Sequence, residues 1–207
     1  NFLSNIAGQW AANDPETALN WAQTMPDGAE KSSAMGSVMR TWANSDPETA
    51  ATYVSKLPAG PAQDKAALAV VQSWTQADPR GAAAWAANFP DGKVRDQALN
   101  SVVSSWSHSD PGGAATWVAS WSPGKSRDNA LETMISNHSY NDPKSAASWV
   151  NLISDEKMRN SRMETIARNW MRQDSTSATA WLNQTPLPDQ VKERLLRQNS
   201  ARDTVPD

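Results

Sequence analysis

Three sets of residues in this chain could carry chemistry. Aspartate recurs at Asp14, Asp46, Asp78, Asp110, Asp142 and Asp174, each 32 residues after the last. A row of carboxylates could gather cations. However, proline follows the first five (Pro15, Pro47, Pro79, Pro111, Pro143), with Ser175 after the sixth. Asp-Pro is first a helix start: the carboxylate accepts from orphan amides, and proline sits where its missing N–H costs nothing. Caps on packed neighbouring helices stand about 10 Å apart, too far to share a metal, so no metal site is expected. The second set is the 11 tryptophans, which if exposed would stack on sugar rings or bases. The third is the pair His108 and His138, the only side chains that titrate near neutral pH unperturbed. They fall at different points of the period, and neither has a nucleophile pattern beside it. No GxSxG, HExxH, Walker or GxGxxG motif occurs, so the expectation is a non-enzyme without catalytic residues or cofactor.

Composition narrows the classes further. The chain has 207 residues, a net charge of -3 and no cysteine, which excludes disulfides, zinc-thiolate sites and thiol nucleophiles. Without a basic cluster there is no expectation of nucleic-acid binding, which depends on many cations releasing counterions. No apolar run approaches the roughly 18 residues that span a bilayer. The first residue is Asn1, with no signal-like region ahead, so a processed product or cut fragment is expected. A composition without cysteine and rich in Asn, Ser and Trp fits an exported bacterial protein and a cytoplasmic one alike.

The elements that must position these residues follow from the same period. Counting slots from each aspartate, slot 5 is Ala18, Ala50, Ala82, Ala114, Ala146 and Ala178. Slot 8 is Trp21, Tyr53, Trp85, Trp117, Trp149 and Trp181. Slot 29 is Trp42, Trp74, Trp106, His138 and Trp170, with Trp10 in the same register ahead of them. Apolar residues at slots 5, 8, 9 and 12 make the stripe of one short helix, such as Ala50, Tyr53, Val54 and Leu57. A Pro-Asp-Gly or Pro-Ala-Gly turn ends it (Pro26 to Gly28, Pro58 to Gly60, Pro90 to Gly92). Slots 21, 22, 25, 26 and 29 stripe a longer helix, such as Ala98, Leu99, Val102, Val103 and Trp106. Both tryptophan slots lie on these stripes, so the indoles, Trp121 at slot 12 included, are expected in the core.

Two short helices cannot bury their stripes alone, and stacked neighbours can, which is the physics of an α-solenoid. The expected fold is all-α: a right-handed α-solenoid of six helix-turn-helix repeats over one domain, 1–207. Its parts are a partial repeat at 1–13, repeats at 14–45, 46–77, 78–109, 110–141 and 142–173, and a last unit, 174–207, ending in a polar capping helix. Hairpins of this length with small residues and aromatics at fixed slots resemble the tetratricopeptide class, including its Sel1-like relatives. The resemblance spans the whole chain at the level of architecture. The period here is 32 where that class has 34, and alanine and aromatic stand three apart where it has four. The resemblance implies a scaffold that binds other proteins.

Two surfaces are candidate sites. If the short helices line a concave groove, slots 7, 10 and 11 face it, presenting Asn20, Gln23, Thr52, Ser55, Asn88, Thr116, Ser120, Ser148, Asn151, Asn183 and Gln184. Small and amide side chains suit the donors and acceptors of an extended peptide or protein partner. Gly81, Gly112 and Gly113 flatten the middle, where another chain could approach closely. The second surface is the stripe Phe2, Leu3, Ile6 and Trp10, which has no preceding short helix to cover it and could mediate end-to-end self-assembly. A carbohydrate- or ligand-binding module using exposed tryptophan is the remaining alternative. Basic residues at slot 18 (Lys31, Arg95, Arg127, Arg159) are expected to form ion pairs between repeats or a row facing an acidic partner.

Overall fold

A computed structural model describes residues 2–203, with side chains described as far as residue 200. Among them the chain is all helical and alternates long and short helices. The long helices are α1 (Phe2–Ala11), α3 (Ala29–Ser45), α5 (Pro61–Ala77), α7 (Lys93–Ser109), α9 (Lys125–His138), α11 (Glu156–Met171) and α13 (Asp189–Asp203). The short ones are α2 (Pro15–Thr24), α4 (Pro47–Lys56), α6 (Pro79–Ala87), α8 (Pro111–Ala119), α10 (Pro143–Trp149) and α12 (Ser175–Gln184). A 3-10 turn, Val150–Leu152, follows α10. Several long helices reach 17 residues, more than the two turns of apolar stripe require, because they run without a break into the next aspartate. No helix among the described residues is long and apolar enough to cross a membrane.

The chain divides into two compact units, Asn1–Ser109 and Asp110–Asp207, cut at an Asp-Pro boundary of the period. In the first, α3 packs on α1 and α5, and α5 on α7; α2, α4 and α6 each bridge the long helices before and after them. In the second, α10 bridges α9 and α11, and α12 bridges α11 and α13.

Each short helix starts at its capping aspartate, with proline next in all but α12, where Ser175 follows Asp174. The Asp14 carboxylate accepts from the Thr17 amide at 3.1 Å, Asp46 from Thr49 at 3.0 Å, Asp110 from Gly113 at 2.9 Å and Asp174 from Ser177 at 3.0 Å. Bonds from the hydroxyls and then the amides of Thr17, Thr49, Ser145 and Ser177 hold Asp14, Asp46, Asp142 and Asp174 below the usual carboxylate value of 3.8. A carboxyl whose folded pKa is depressed stabilises fully above its unfolded pKa, and that contribution is lost as pH falls through the folded value. Urea unfolding from pH 7 to pH 2 is therefore expected to lose stability below about pH 4. A variant carrying Asp14→Asn, Asp46→Asn, Asp142→Asn and Asp174→Asn should show a shallower loss over the same window. Equal slopes would mean that the caps do not couple to folding.

The long helices start differently. Gly28, Gly60, Gly92 and Gly124, one period apart, precede α3, α5, α7 and α9 with φ of 157°, 148°, 152° and 148°. A Cβ at these positions would meet nothing, so the backbone conformation, which other residues rarely adopt, selects glycine. In the fifth period Glu156 holds that slot, and α11 is instead capped by Asp155, whose carboxylate accepts from the Met158 amide at 2.7 Å.

The core follows the predicted stripes except at several of the aromatic positions. The slot-5 alanines, Ala18 through Ala178, are all fully buried, which leaves no room for a larger side chain. Val38 and Met39, Val70 and Val71, Val102 and Val103, and Met134 and Ile135 are likewise inside. The slot-29 indoles Trp42, Trp74 and Trp106 are 5%, 9% and 5% exposed. The slot-8 rings Trp21, Tyr53, Trp85, Trp117 and Trp181, and Trp121 at slot 12, are only partly buried, while Trp149 is inside. Among the slot-29 rings Trp170 is also only partly buried and Trp10 is exposed. Slot-29 and slot-8 rings pair eleven residues apart, with centroids 6.1 Å apart for Trp10 and Trp21, 4.6 Å for Trp42 and Tyr53, and 5.8 Å for Trp170 and Trp181. His138 takes the same place against Trp149 at 5.4 Å, and its Nδ1 donates to the Met134 carbonyl at 2.9 Å. It is a packed and bonded substitute for tryptophan.

Candidate functional site

The expected short-helix surface faces solvent. Asn20, Thr52, Ser55, Asn88, Thr116, Ser120, Ser148, Asn151, Asn183 and Gln184 are exposed and Gln23 is partly so. Many of these groups are already satisfied by their own helix. Thr52 donates to the Glu48 carbonyl, Ser55 to Ala51, Thr116 to Gly112, Ser120 to Trp117 and Ser148 to Ser145. The Asn88 amide donates to the Ala84 carbonyl at 3.0 Å. Such back-bonding is how hydroxyls and short amides behave on helices, and it removes donors from the recognition set. Gly81 has an internal explanation, contrary to close approach by another chain. A Cβ there would clash with the Asp78 carboxylate and sit 3.0 Å from the Trp74 indole.

The first unit carries two clefts that sequence patterning did not show. Each opens between the turns of adjacent hairpins, and their linings match one period apart. The first, about 590 Å³, lies between the turn at Asp27 and Gly28 and the turn at Pro58 to Pro61, with Gln23, Lys31 and Met35 on its walls. The second, about 700 Å³, lies between the turn at Ala59 and Gly60 and that at Pro90 to Lys93. Its walls include Val54, Ser55, Gln63, Asp64, Ala67, Trp85, Asn88 and Phe89. Trp85 on α6 and Phe89 just past the end of that helix meet edge to face at 4.7 Å. In the preceding period the Lys56 ammonium stands over the Tyr53 ring, 5.0 Å from its centroid. At the corresponding position Asn88 bends back to its helix and leaves Trp85 to the cleft.

The slot-18 side chains do not form the expected row. Gln63 donates to the carbonyls of Val54 and Leu57, both at 3.1 Å. Arg127 reaches the Trp121 carbonyl at 3.4 Å, and Arg159 the Ile153 carbonyl at 2.9 Å. These positions cap the C-terminal carbonyls of the short helix of their own hairpin. Lys31 and Arg95 pair instead with Asp27 and Asp91, four residues earlier. Ion pairs between periods do exist, at other slots: Arg162 with Glu132 at 2.6 Å and Arg194 with Glu164 at 2.8 Å. Exposed pairs of this kind contribute little, typically under about 1 kcal/mol.

In the second unit the same inter-turn position is filled by the chain itself. The Asp128 carboxylate, in a residue 4% exposed, accepts from the backbone amides of Ser154 at 2.8 Å and Asp155 at 2.9 Å. Arg127 adds bonds to the Leu152 carbonyl at 2.9 Å and the Ser154 hydroxyl at 3.1 Å.

At the N-terminal end, Phe2, Ile6 and Trp10 are 77%, 39% and 37% exposed, and Leu3 is partly buried, while Ala7 and Ala11 are buried. The ligand-stacking alternative rests on Trp10 and on the partly buried slot-8 rings. No group of three or more His, Cys, Asp or Glu side chains among the described residues could hold a metal ion. Comparison with protein-family models, curated proteins and solved structures finds no match.

Proposed function

We propose that the chain is a non-catalytic protein-protein interaction scaffold, a tetratricopeptide-like right-handed α-solenoid that takes a peptide or protein partner on its short helices and the turns beside them. The observation that carries this is the cleft of about 700 Å³ walled by Trp85 and Phe89, with Ser55 and Asn88 at its rim. Concave, mostly apolar sites with a few placed polar groups bind ligands, and aromatic anchors in such pockets dominate interface energies. The other observation in support is that Asn20, Gln23, Asn151, Asn183 and Gln184 keep their side-chain amides for a partner, having no hydrogen bond described within the chain.

Selection of a displayed random peptide library against the purified chain tests this. Enriched peptides are expected, and their binding should weaken by more than about 1 kcal/mol in one of two variants. One is Asn151→Ala with Asn183→Ala; the other is Ser55→Arg with Asn88→Arg. All four positions are exposed, so melting temperatures should stay as in wild type. A library that enriches nothing would overturn the proposal.

A second use of the fold is favoured by α1. Val38 and Trp42 occupy the slots of Ile6 and Trp10 and are buried, whereas the α1 side chains are open. Contact between copies through Phe2, Leu3, Ile6 and Trp10 would make a self-assembling structural module. Sedimentation that depends on concentration, and ceases to in Ile6→Lys, distinguishes it.

A further inference from the structure

We infer that the cleft between the second and third hairpin turns takes an extended peptide segment. Two consecutive backbone N–H groups of that segment bond the Asp64 carboxylate, and an apolar side chain lies on Trp85 and Phe89. This rests on the peptide-binding proposal and specifies its ligand.

The ligand is identified by what the chain puts in the same place elsewhere. Asp64 and Asp128 occupy the same slot, two periods apart. Asp128 is satisfied by two successive amides of the next turn, those of Ser154 and Asp155. The corresponding residues facing Asp64 are Pro90 and Asp91, and proline has no amide hydrogen to give. Two further differences hold the first-unit cleft open. Gln63 is committed to Val54 and Leu57 and does not reach across as Arg127 does. Ala67 stands where Leu131 fills the second unit.

The consequences are visible in burial. Trp149 and Ile153 are 7% and 1% exposed, whereas their counterparts Trp85 and Phe89 are partly open to the cleft. Asp64 is partly buried on the same wall and has no side-chain bond or ion pair described. A carboxylate in that position gains most from paired N–H donors, since charge-assisted bonds are short and strong. On the facing turn Lys93 lines the rim, and Asp91 is held by Arg95. The remaining rim charges, Asp64 and Lys93, balance, which suits a neutral segment.

The probe is a capped heptapeptide with the sequence of residues 150–156, made neutral by Asp155→Asn and Glu156→Gln, followed by calorimetric titration. Saturable binding to wild type is expected. Asp64→Asn should weaken it at least tenfold, and so should methylation of the two peptide nitrogens at positions 154 and 155. Gln63→Arg with Ala67→Leu and Pro90→Ser, which rebuilds the second-unit arrangement, should abolish it. Should that triple variant misfold, the Asp64→Asn and N-methyl arms decide alone. Affinity that survives both arms would overturn the inference. So would an absence of wild-type binding, and if library peptides still bind on the short-helix face, the scaffold proposal stands without it. If neither probe nor library binds, both fall.

Discussion

Trp42→Ala is expected to lower the stability of the first unit by about 4 kcal/mol, within the range for emptying a buried aromatic site. Three facts set that size. The indole is 5% exposed, the carbonyl of its residue accepts from the amide of Asp46, the cap of α4, and the ring meets the Tyr53 ring of α4 at 4.6 Å. The surrounding interior is close-packed, so the cavity left by the indole closes only in part. Trp85→Ala should cost about 1 to 2 kcal/mol, because one side of that ring already faces the cleft and solvent. Circular dichroism during urea unfolding measures both, with Trp42→Phe expected to recover part of the loss. Equal costs would mean that the two aromatic slots bear the same load, contrary to their burial.

That contrast marks where the sequence was legible. The 32-residue spacing of Asp-Pro announced the short helices because capping is local: carboxylate, proline and the third amide lie within four residues. Slot-5 alanine announced a close helix contact for the same reason, since only a small side chain fits. The slot-8 aromatics were less legible. Helical period states which way a residue points but not what stands opposite, and the facing surface is supplied by another hairpin. Arg127 and Arg159 at slot 18 were read as ion-pairing or partner-facing groups, while the partners they take are carbonyls that carry no sequence signal. The cleft was legible in principle. A comparison of slots 13 and 19 between periods sets Pro90 against Ser154 under a shared aspartate, and only the hydrogen-bond pattern of Asp128 shows why that matters.

Asp128→Ala is expected to lower the stability of the second unit by about 3 kcal/mol, and Asp64→Ala to leave the first unit within about 0.5 kcal/mol of wild type. The same residue type at the same slot thus has opposite expectations. Removing the Asp128 carboxylate takes away the buried acceptor that the amides of Ser154 and Asp155 share. Hydrogen bonds to a charged group are worth more than neutral ones, and two are lost together, which is why the loss exceeds the worth of an ordinary bond. Asp64 has no such dependants described, so its removal strands nothing. Amide exchange locates the effect: protection at Ser154 and Asp155 should fall in Asp128→Ala and stay unchanged in Asp64→Ala. A large loss from Asp64→Ala would show that its carboxylate is occupied within the fold and is not free for a ligand. A small one from both would show that turn closure in the second unit comes from Arg127 and the packing of Ile153. With the expected split, one slot serves the fold in the second unit and is left for recognition in the first.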